Sequence, residues 1–268
     1  MIDMKHGISG LAALTATLLL FCGCVSERPA DITLDELEGK MAQAMDPARE
    51  YRNAYAYFQR QNIEEEGLFS KKYQLLEVRF QRPDKFKFSF YDKNTIATEI
   101  LSVNKRAWMI DHKKGIITEI HGNALEKFRI MLAMGHPDTD YDSLFSKIDM
   151  SLVTLDDDRE YYKLVCQPAL EKSNPIVIYV DKLESLPKRM ELQIKTDQGE
   201  IRAVNNIVEF RKFNNVNIPV LTLVQEGSRE YTTRVVGYQL NAHFRPDEFK
   251  LPEFDPVLME MKKQRQRR

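Results

Sequence analysis

The sequence predicts a mainly β protein with helices (α+β), built as one strongly curved antiparallel sheet of about eleven strands. First, from Gly67 onward apolar and polar residues alternate with a period of two in most segments. Second, short turn sequences such as Lys113-Lys114-Gly115 separate these segments, as in a meander of hairpins. Third, no linker rich in glycine, serine or proline divides the chain, so we expect one domain with helices on one side of the sheet.

Composition excludes some classes of function. The 268 residues include 39 basic and 40 acidic side chains, and this balance does not indicate a nucleic-acid-binding surface. Only 11 residues are glycine, which disfavours glycine-rich phosphate loops.

The N-terminus has the pattern of a secretory signal. Lys5 precedes a short apolar run, Ile8 to Phe21, that is too short to span a bilayer comfortably. The run ends in Phe21-Cys22-Gly23-Cys24, which resembles the lipobox of bacterial lipoproteins. Residues 1–23 are therefore expected to be a lipoprotein signal peptide, and residues 24–32 a lipidated tether. An ordinary cleaved signal or an uncleaved anchor is the alternative.

Lipidation of Cys24 would anchor the chain to a membrane, because two or more acyl chains hold a protein stably. In envelopes where an aspartate after the lipidated cysteine retains lipoproteins at the inner membrane, Val25 would permit export to the outer one. After cleavage Cys166 is the remaining cysteine, so no intramolecular disulfide is expected. Cys166 is interpreted as a small buried apolar residue rather than a nucleophile.

A lead helix opens the domain. Thr33 and Glu36 form a capping box, and Leu34, Leu37, Met41 and Met45 follow with helical spacing. The next segment, Tyr51 to Asn62, fits a strand by alternation, but its residue propensities also allow a helix.

The first half of the sheet is predicted as consecutive hairpins. Phe86, Phe88 and Phe90 form an aromatic stripe, with Lys85 and Lys87 on the opposite face. The strands predicted here are Tyr73–Gln81, the Phe86–Phe90 segment, Thr95–Val103, Ala107–Asp111 and Ile116–Ile120.

A helical insert interrupts these strands. Between Asn123 and Gly135 the spacing is helical and apolar side chains are frequent, and Gly135 and Pro137 end the helix. The insert should cover a face of the sheet or close an opening. A second short helix is predicted at Tyr141–Lys147.

Strands resume around a central hairpin. Ile176 to Val180 is β-branched and aromatic, Asp181 to Pro187 has turn residues, and Met190, Leu192 and Ile194 alternate with polar or charged residues. The other strands predicted here are Ser151–Leu155, Tyr161–Gln167, Ile201–Phe213, Ile218–Gln225 and Tyr231–Leu240. Residues 255–268 are expected to be a disordered basic tail, either solvated or in contact with anionic lipid headgroups.

The order of these elements resembles the LolA/LolB lipoprotein-carrier superfamily over roughly residues 33–254. The residues that support this are Arg82-Pro83 before the Phe86 strand, Asp181 with Leu186-Pro187 in the central hairpin, and Asn241, Phe244, Phe249, Leu251 and Pro252 at the end. The resemblance implies an unclosed β-barrel with a helical lid, whose hollow interior accepts acyl chains. It also implies that Arg82 helps to hold the lid, whereas a surface arginine before a turn is the alternative.

Within this resemblance, large apolar side chains of the barrel and lid are expected to line the cavity, although each could instead be a core residue. With Arg82 they form the candidate ligand site: Phe80, Phe86, Phe88, Phe90, Trp108, Ile110, Leu125, Phe128, Met131, Leu132, Met134, Met190 and Leu192. The lipobox distinguishes this chain from the soluble carrier of the family and indicates an anchored acceptor or lipid binder.

The sequence contains no recognised catalytic motif, so we expect a protein that is not an enzyme and has no cofactor or metal. Asp138, Asp140 and Asp142 have calcium-loop spacing, but Ser143 replaces the required glycine. The expected function is binding of lipid or acylated lipoprotein by a monomer, with a transporter or carrier protein as a further partner. The alternative is an envelope sensor or scaffold that uses the same fold to bind a protein.

Overall fold

The computed structural model describes residues 27–52, 54–64, 71–121, 130, 139, 141–169, 174–196 and 199–254. This part of the chain is mostly β, with one helix of three turns, α1 (Leu34–Met45), and a single-turn helix, α2 (Tyr141–Leu144). The strands, in chain order, are β1 Glu27–Pro29, β2 Ala54–Glu64, β3 Lys71–Gln81, β4 Lys85–Asp92, β5 Thr95–Val103, β6 Arg106–Asp111, β7 Ile116–Ile120, β8 Phe145–Thr154, β9 Glu160–Pro168, β10 Ile176–Asp181, β11 Pro187–Thr196, β12 Gly199–Phe213, β13 Val216–Glu226 and β14 Arg229–Leu240.

All these strands join one antiparallel sheet in the order β1-β8-β9-β10-β11-β12-β13-β14-β2-β3-β4-β5-β6-β7. The sheet is not closed, because β1 and β7 lie at its two edges. Since neighbours run in opposite directions, the turns lie alternately at two ends. We call the end where Glu27 lies the proximal end, and the end with the β13–β14 turn, Gly227–Ser228, the distal end.

The sheet is curved around a concave face. Phe88 of β4 and Met190 of β11 line one common cavity, although six strand spacings separate them in the sheet. A flat sheet would place these strands about 29 Å apart, at ~4.8 Å per strand. The sheet therefore bends enough to bring β4 and β11 to opposite sides of one space.

Helix α1 begins as the sequence predicts. The Thr33 side chain accepts a hydrogen bond from the Glu36 backbone N–H, and the Glu36 side chain accepts one from the Thr33 backbone N–H. This capping box satisfies N–H groups that the first turn leaves without helical partners. The buried face of the helix is Leu37, Met41 and Met45.

The main core lies between α1 and the concave face of β8 to β12. Leu37 and Met41 of α1 join Leu164 of β9, Ile178 of β10 and other buried side chains in this cluster. Ile130, the described residue of the predicted helical insert, is also fully buried there. Helix α1 and Ile130 thus fill one side of the concave face.

The convex face carries a second layer at β3 to β6. Phe249, from the segment that follows β14, packs against Leu101 of β5 and Ile110 of β6. The Glu248 carboxylate forms ion pairs with Arg79 (2.6 Å) and with Lys87. The residues predicted to end the domain therefore cover the outside of the sheet.

The structure differs from the expected elements in two places and decides an open alternative in a third. The described strands number fourteen, more than the expected eleven, partly because β1 forms within the predicted tether and pairs with β8. The ambiguous segment is strand β2, with β14 and β3 as neighbours. The predicted helix Tyr141–Lys147 ends at Leu144, because Phe145 already pairs with Pro168 of β9.

Among the residues described, no helix is both long and apolar enough to cross a membrane. Apart from Ile130, the helical insert Asn123–Gly135 lies outside the described residues, as do the signal segment 1–23 and the tail 255–268.

Candidate functional site

The candidate site is a cavity of about 370 Å³ on the concave face of the sheet. Its walls come from β2, β3, β4, β11, β12, β13 and β14. These strands adjoin the part of the concave face that α1 and Ile130 fill, and Leu192 and Ala203 belong both to that core and to the cavity wall. One side of the concave face is therefore packed, and the other encloses space.

Most of the cavity wall is apolar or aromatic. The apolar lining residues are Leu76, Phe88, Phe90, Met190, Leu192, Ala203, Ile207, Ile218, Pro219, Val220, Val224 and Val235. The polar and charged lining residues are a minority, as is usual for sites that bind small apolar ligands; they are Gln59, Gln61, Asn205, Thr222, Glu226 and Thr233. The arrangement offers burial of an apolar group rather than reactive chemistry.

Stacked tyrosines form the proximal boundary of the cavity. The Tyr55 ring centroid lies 5.9 Å from that of Tyr57 and 6.0 Å from that of Tyr238, with nearly parallel planes. Burial raises the pKa of all three hydroxyls well above the ordinary value. The layer is therefore neutral at physiological pH and presents rings with few rotatable bonds.

Polar side chains lie at the distal end of the cavity. The Tyr231 hydroxyl donates a hydrogen bond of 2.7 Å to the Glu226 carboxylate, and Gln61 lies on the neighbouring strand β2. Burial, and then this hydrogen bond, raise the pKa of Tyr231. The cavity thus has an apolar body and one polar end, which suits an amphipathic guest.

Four of the predicted ligand residues line the cavity: Phe88, Phe90, Met190 and Leu192. Phe80 and Phe86 lie on the same concave face but nearer the proximal end. The Phe80 ring stacks 5.2 Å from Tyr55, and Phe86 is 2% exposed. These two side chains support the tyrosine layer as core residues.

Trp108 and Ile110 do not line the cavity, because they point to the convex face. Across β5 and β6, Ile100 pairs with Met109 on the concave face, whereas Leu101 pairs with Trp108. Ile110 is 1% exposed beneath Phe249, and the Trp108 ring contacts the Arg106 guanidinium at 5.2 Å. Both residues belong to the outer layer of the sheet.

Arg82 lies at the proximal end, in the turn between β3 and β4. Its guanidinium carbon is 5.3 Å from the centre of the Tyr51 ring. Tyr51 is buried, and burial raises its pKa to about 12 although the charge of Arg82 opposes this. Arg82 therefore contacts the aromatic cluster that closes the proximal end.

The other predicted site residues lie outside the described part of the chain: Cys24, Leu125, Phe128, Met131, Leu132 and Met134. Ile130, from the same insert, is fully buried against the α1 cluster.

Sequence reasoning missed the tyrosines and much of the β13 wall. Tyr55 and Tyr57 alternate with Ala54 and Ala56, which is the pattern of a strand with one aromatic face. Because the residue propensities of this segment also allow a helix, the alternation alone does not assign the tyrosines to the cavity wall. The β13 wall residues Ile218 and Val220 alternate as well, and both are buried on the cavity wall.

Groups suited to other chemistry are not assembled in the described residues. No cluster of three or more possible metal ligands occurs there, and two of the three aspartates of the calcium-like pattern lie outside it. Cys166 is fully buried, and burial raises the pKa of its thiol to about 12. Its thiolate is therefore scarce at neutral pH, as the interpretation of a small apolar residue requires.

Neither a protein-family model nor a curated protein matches this chain. Solved structures do match it. A LolA superfamily protein from Nitrosomonas europaea is similar with a TM-score of 0.55 at 9% identity, over 82% of this chain and 98% of that one.

Two further structures give the same result. A putative outer membrane lipoprotein-sorting protein domain from Vibrio parahaemolyticus has a TM-score of 0.54 at 9% identity, over 80% of this chain and 95% of that one. A DUF1329 family protein from Desulfovibrio piger has a TM-score of 0.54 at 14% identity, with the same coverage. The resemblance drawn from the sequence is thus confirmed at the level of architecture, and this chain has the fold of LolA superfamily proteins.

Proposed function

We propose that this protein is a lipid-anchored component of the bacterial envelope that binds an acyl chain of a lipid or lipoprotein in its cavity. The observation that carries the proposal is the apolar cavity of about 370 Å³ on the concave face beside α1. The lipobox-like Phe21–Cys24 supports an envelope location, and Val25 supports the outer membrane, facing the periplasm. A structural neighbour is described as a lipoprotein-sorting domain, which is consistent with this role.

The cavity size favours one chain rather than several. At roughly 30 Å³ per water-sized group, the cavity of about 370 Å³ holds about a dozen methylene-sized groups. Burial of ten methylenes would contribute roughly 8 kcal/mol, part of which offsets the entropy lost on association. We therefore expect affinity in the micromolar range or weaker for a single-chain ligand.

The lid belongs to the same proposal. Helix α1 and Ile130 cover the concave face of β8 to β12. The lid expected from the sequence at Asn123–Gly135 is part of the proposal. Arg82, through its contact with Tyr51, would favour the closed proximal end. The proposed role is binding rather than catalysis.

A cavity-filling substitution tests the proposal. Thr222 on β13 faces the cavity, whereas Leu223 beside it faces the opposite side of the sheet. With Cys24→Ser as the soluble parent, saturable uptake of a fluorescent fatty acyl probe is expected. Thr222→Phe should weaken binding at least tenfold, because its ring occupies the ligand space, and Leu223→Phe should leave binding unchanged.

Displacement of the probe by an acylated peptide would extend the result to lipoproteins. Equal binding by both phenylalanine variants, each folded by circular dichroism, would contradict the cavity as the site. Absence of saturable binding in the parent would favour the alternative, an envelope sensor or scaffold that binds a protein.

A further inference from the structure

A second pocket lies outside the cavity, at the proximal end. It is a groove of about 730 Å³ between the α1–β2 loop, the β12–β13 turn and the segment after β14. Arg49, Arg52 and His243 line it, together with the carboxylate of Glu50. The groove is distinct from the cavity on the concave face, because the two share no lining residue.

Two guanidinium groups in the groove have no side-chain partner among the described residues. Most described arginines form ion pairs, for example Arg79 with Glu248 and Arg106 with Glu119. Arg49, Arg52 and Arg229 are the described arginines that form neither an ion pair nor a side-chain hydrogen bond within that part of the chain. Two of these three share the groove.

The acidic residue of the groove is already engaged. The Glu50 carboxylate accepts hydrogen bonds from the backbone N–H and the side-chain amide of Asn215. It is thus held towards the β12–β13 turn, which leaves the guanidinium groups of Arg49 and Arg52 available for an anion from outside. Guanidinium groups bind phosphate oxygens through paired, charge-assisted hydrogen bonds.

The loop that carries both arginines is fixed in place. The buried carboxylate of Asp46 accepts hydrogen bonds of 2.8 Å from the backbone N–H groups of Glu50 and Tyr51. Asn241 holds the other side, accepting from the Arg52 N–H at 2.9 Å and donating to the Glu50 carbonyl at 2.8 Å. Because these hydrogen bonds already hold the loop backbone, binding of an anion would not carry the entropic cost of ordering it.

The position of the groove identifies the source of the anion. Strand β1 starts at Glu27, beside Val153 at the end of β8, and the alternation of strands places Ala54, Phe213 and Leu240 at that same end. Cys24 precedes Glu27 by three residues, a reach of at most about 11 Å. A bilayer anchored through Cys24 therefore lies against the end that holds the groove.

We infer that the groove of Arg49 and Arg52 binds the phosphate of a phospholipid headgroup at the membrane to which the chain is anchored. The choice of a headgroup over free phosphate rests on the proposed anchoring at Cys24, whereas the anion site itself does not. Contact with the headgroup would orient the barrel with its proximal end on the bilayer and its polar distal end away from it.

The test uses vesicles and the unanchored Cys24→Ser protein. Each arginine near an anionic surface contributes about a fivefold gain in binding. Arg49→Gln with Arg52→Gln should therefore lower partitioning onto phosphatidylglycerol vesicles about 25-fold. The matched control is Lys93→Gln with Arg229→Gln, which removes two exposed charges in the distal turns and should change partitioning less than twofold, since those turns face away from the bilayer.

Three outcomes would overturn the inference. Equal losses in the two double variants would indicate attraction by overall charge, and no loss in either would exclude the groove. Full displacement from vesicles by millimolar inorganic phosphate would identify a general phosphate site instead of a headgroup site. Uptake of the acyl probe, measured separately, reports on the cavity, so failure of one proposal does not imply failure of the other.

Discussion

At the scale of single residues, Asp181 shows why a side-chain oxygen acceptor is needed in the central hairpin. It is 2% exposed, and its Oδ1 accepts hydrogen bonds from the backbone N–H groups of Leu183 (2.9 Å) and Glu184 (2.8 Å). Its own backbone carbonyl accepts from Ser185, which has a φ of 55°. One side chain therefore satisfies the donors of a turn whose backbone is otherwise strained.

We expect Asp181→Ala to lower the free energy of unfolding by about 1–3 kcal/mol, because it leaves two N–H groups without their acceptor. Asp181→Asn should cost less, since its amide oxygen can accept both bonds. The asparagine variant loses only the ion pair with the half-exposed Arg159 at 3.6 Å. Solvent screens this ion pair, so its contribution to stability is small. Urea unfolding of the three proteins measures the difference, and an equal loss in both variants would show that the charge, not the cap, matters.

Local sequence patterns predict which side chains share one face of a strand, but not which face is concave. Alternation correctly grouped Phe86, Phe88 and Phe90 on one face, because side chains of a strand alternate strictly. Alternation does not show which face of β6 is concave, because Trp108 and Ile110 are apolar residues that could equally line a cavity. Ile110 is buried by Phe249, about 140 residues away in sequence, and no local pattern encodes that contact.

At the scale of elements, the segment after β14 acts as a strap on the convex face. The Lys87 ammonium donates a hydrogen bond of 2.9 Å to the Glu248 carbonyl and also pairs with the Glu248 carboxylate. Burial alone would raise the pKa of that carboxyl, but Lys87 and Arg79 outweigh it and hold the pKa below its usual range. The strap is thus held by ion pairs beside the buried Phe249.

This strap should make stability depend on pH. Because the pKa of Glu248 is lower in the folded than in the unfolded chain, its ionised form stabilises the fold above a pH of about 4.3, the unfolded value. That contribution is lost as the pH falls through the folded-state pKa. Glu248→Gln should therefore unfold more easily than wild type at pH 7, with the difference vanishing in strong acid.

Thermal unfolding of both proteins across the pH range measures this effect. Glu253→Gln, an exposed neighbour in the same strap, is the control and should behave as wild type at every pH. A difference between wild type and Glu248→Gln that persists in acid would assign it to packing rather than to the ion pairs.

Elements were predicted well where local signals and tertiary pairing agree. The capping box at Thr33 and the turn at Asp181 are local, and both are present. The sequence predicts a tether where β1 forms, because Glu27-Arg28-Pro29 has no alternation and pairs only at the edge of the sheet. Phe145 continued a helical pattern, but its pairing with Pro168 of β9 decided the strand.

At the scale of the whole molecule, the two ends of the curved sheet differ in chemistry. The proximal end has the chain entry at Glu27, the arginine groove and the tyrosine layer, whereas the distal end of the cavity is polar around Glu226. A membrane anchor at Cys24 would orient the two ends relative to the bilayer. The charged groove would then face the bilayer, and the cavity would lie farther from it. The anchor is therefore the premise that the whole arrangement depends on.

Replacement of Cys24 tests that premise directly. Cys24→Ser removes the thiol that would be acylated, so the protein should appear in the soluble envelope fraction and should not incorporate labelled fatty acid. Cys166→Ala is the matched control, since Cys166 is fully buried and its thiol is unreactive at neutral pH, and this variant should remain labelled and membrane-bound. Unchanged labelling and fractionation of Cys24→Ser would exclude anchoring at this cysteine. The arginine groove would then have no fixed position against the bilayer. Acyl binding in the cavity would still be decided by the uptake of the acyl probe.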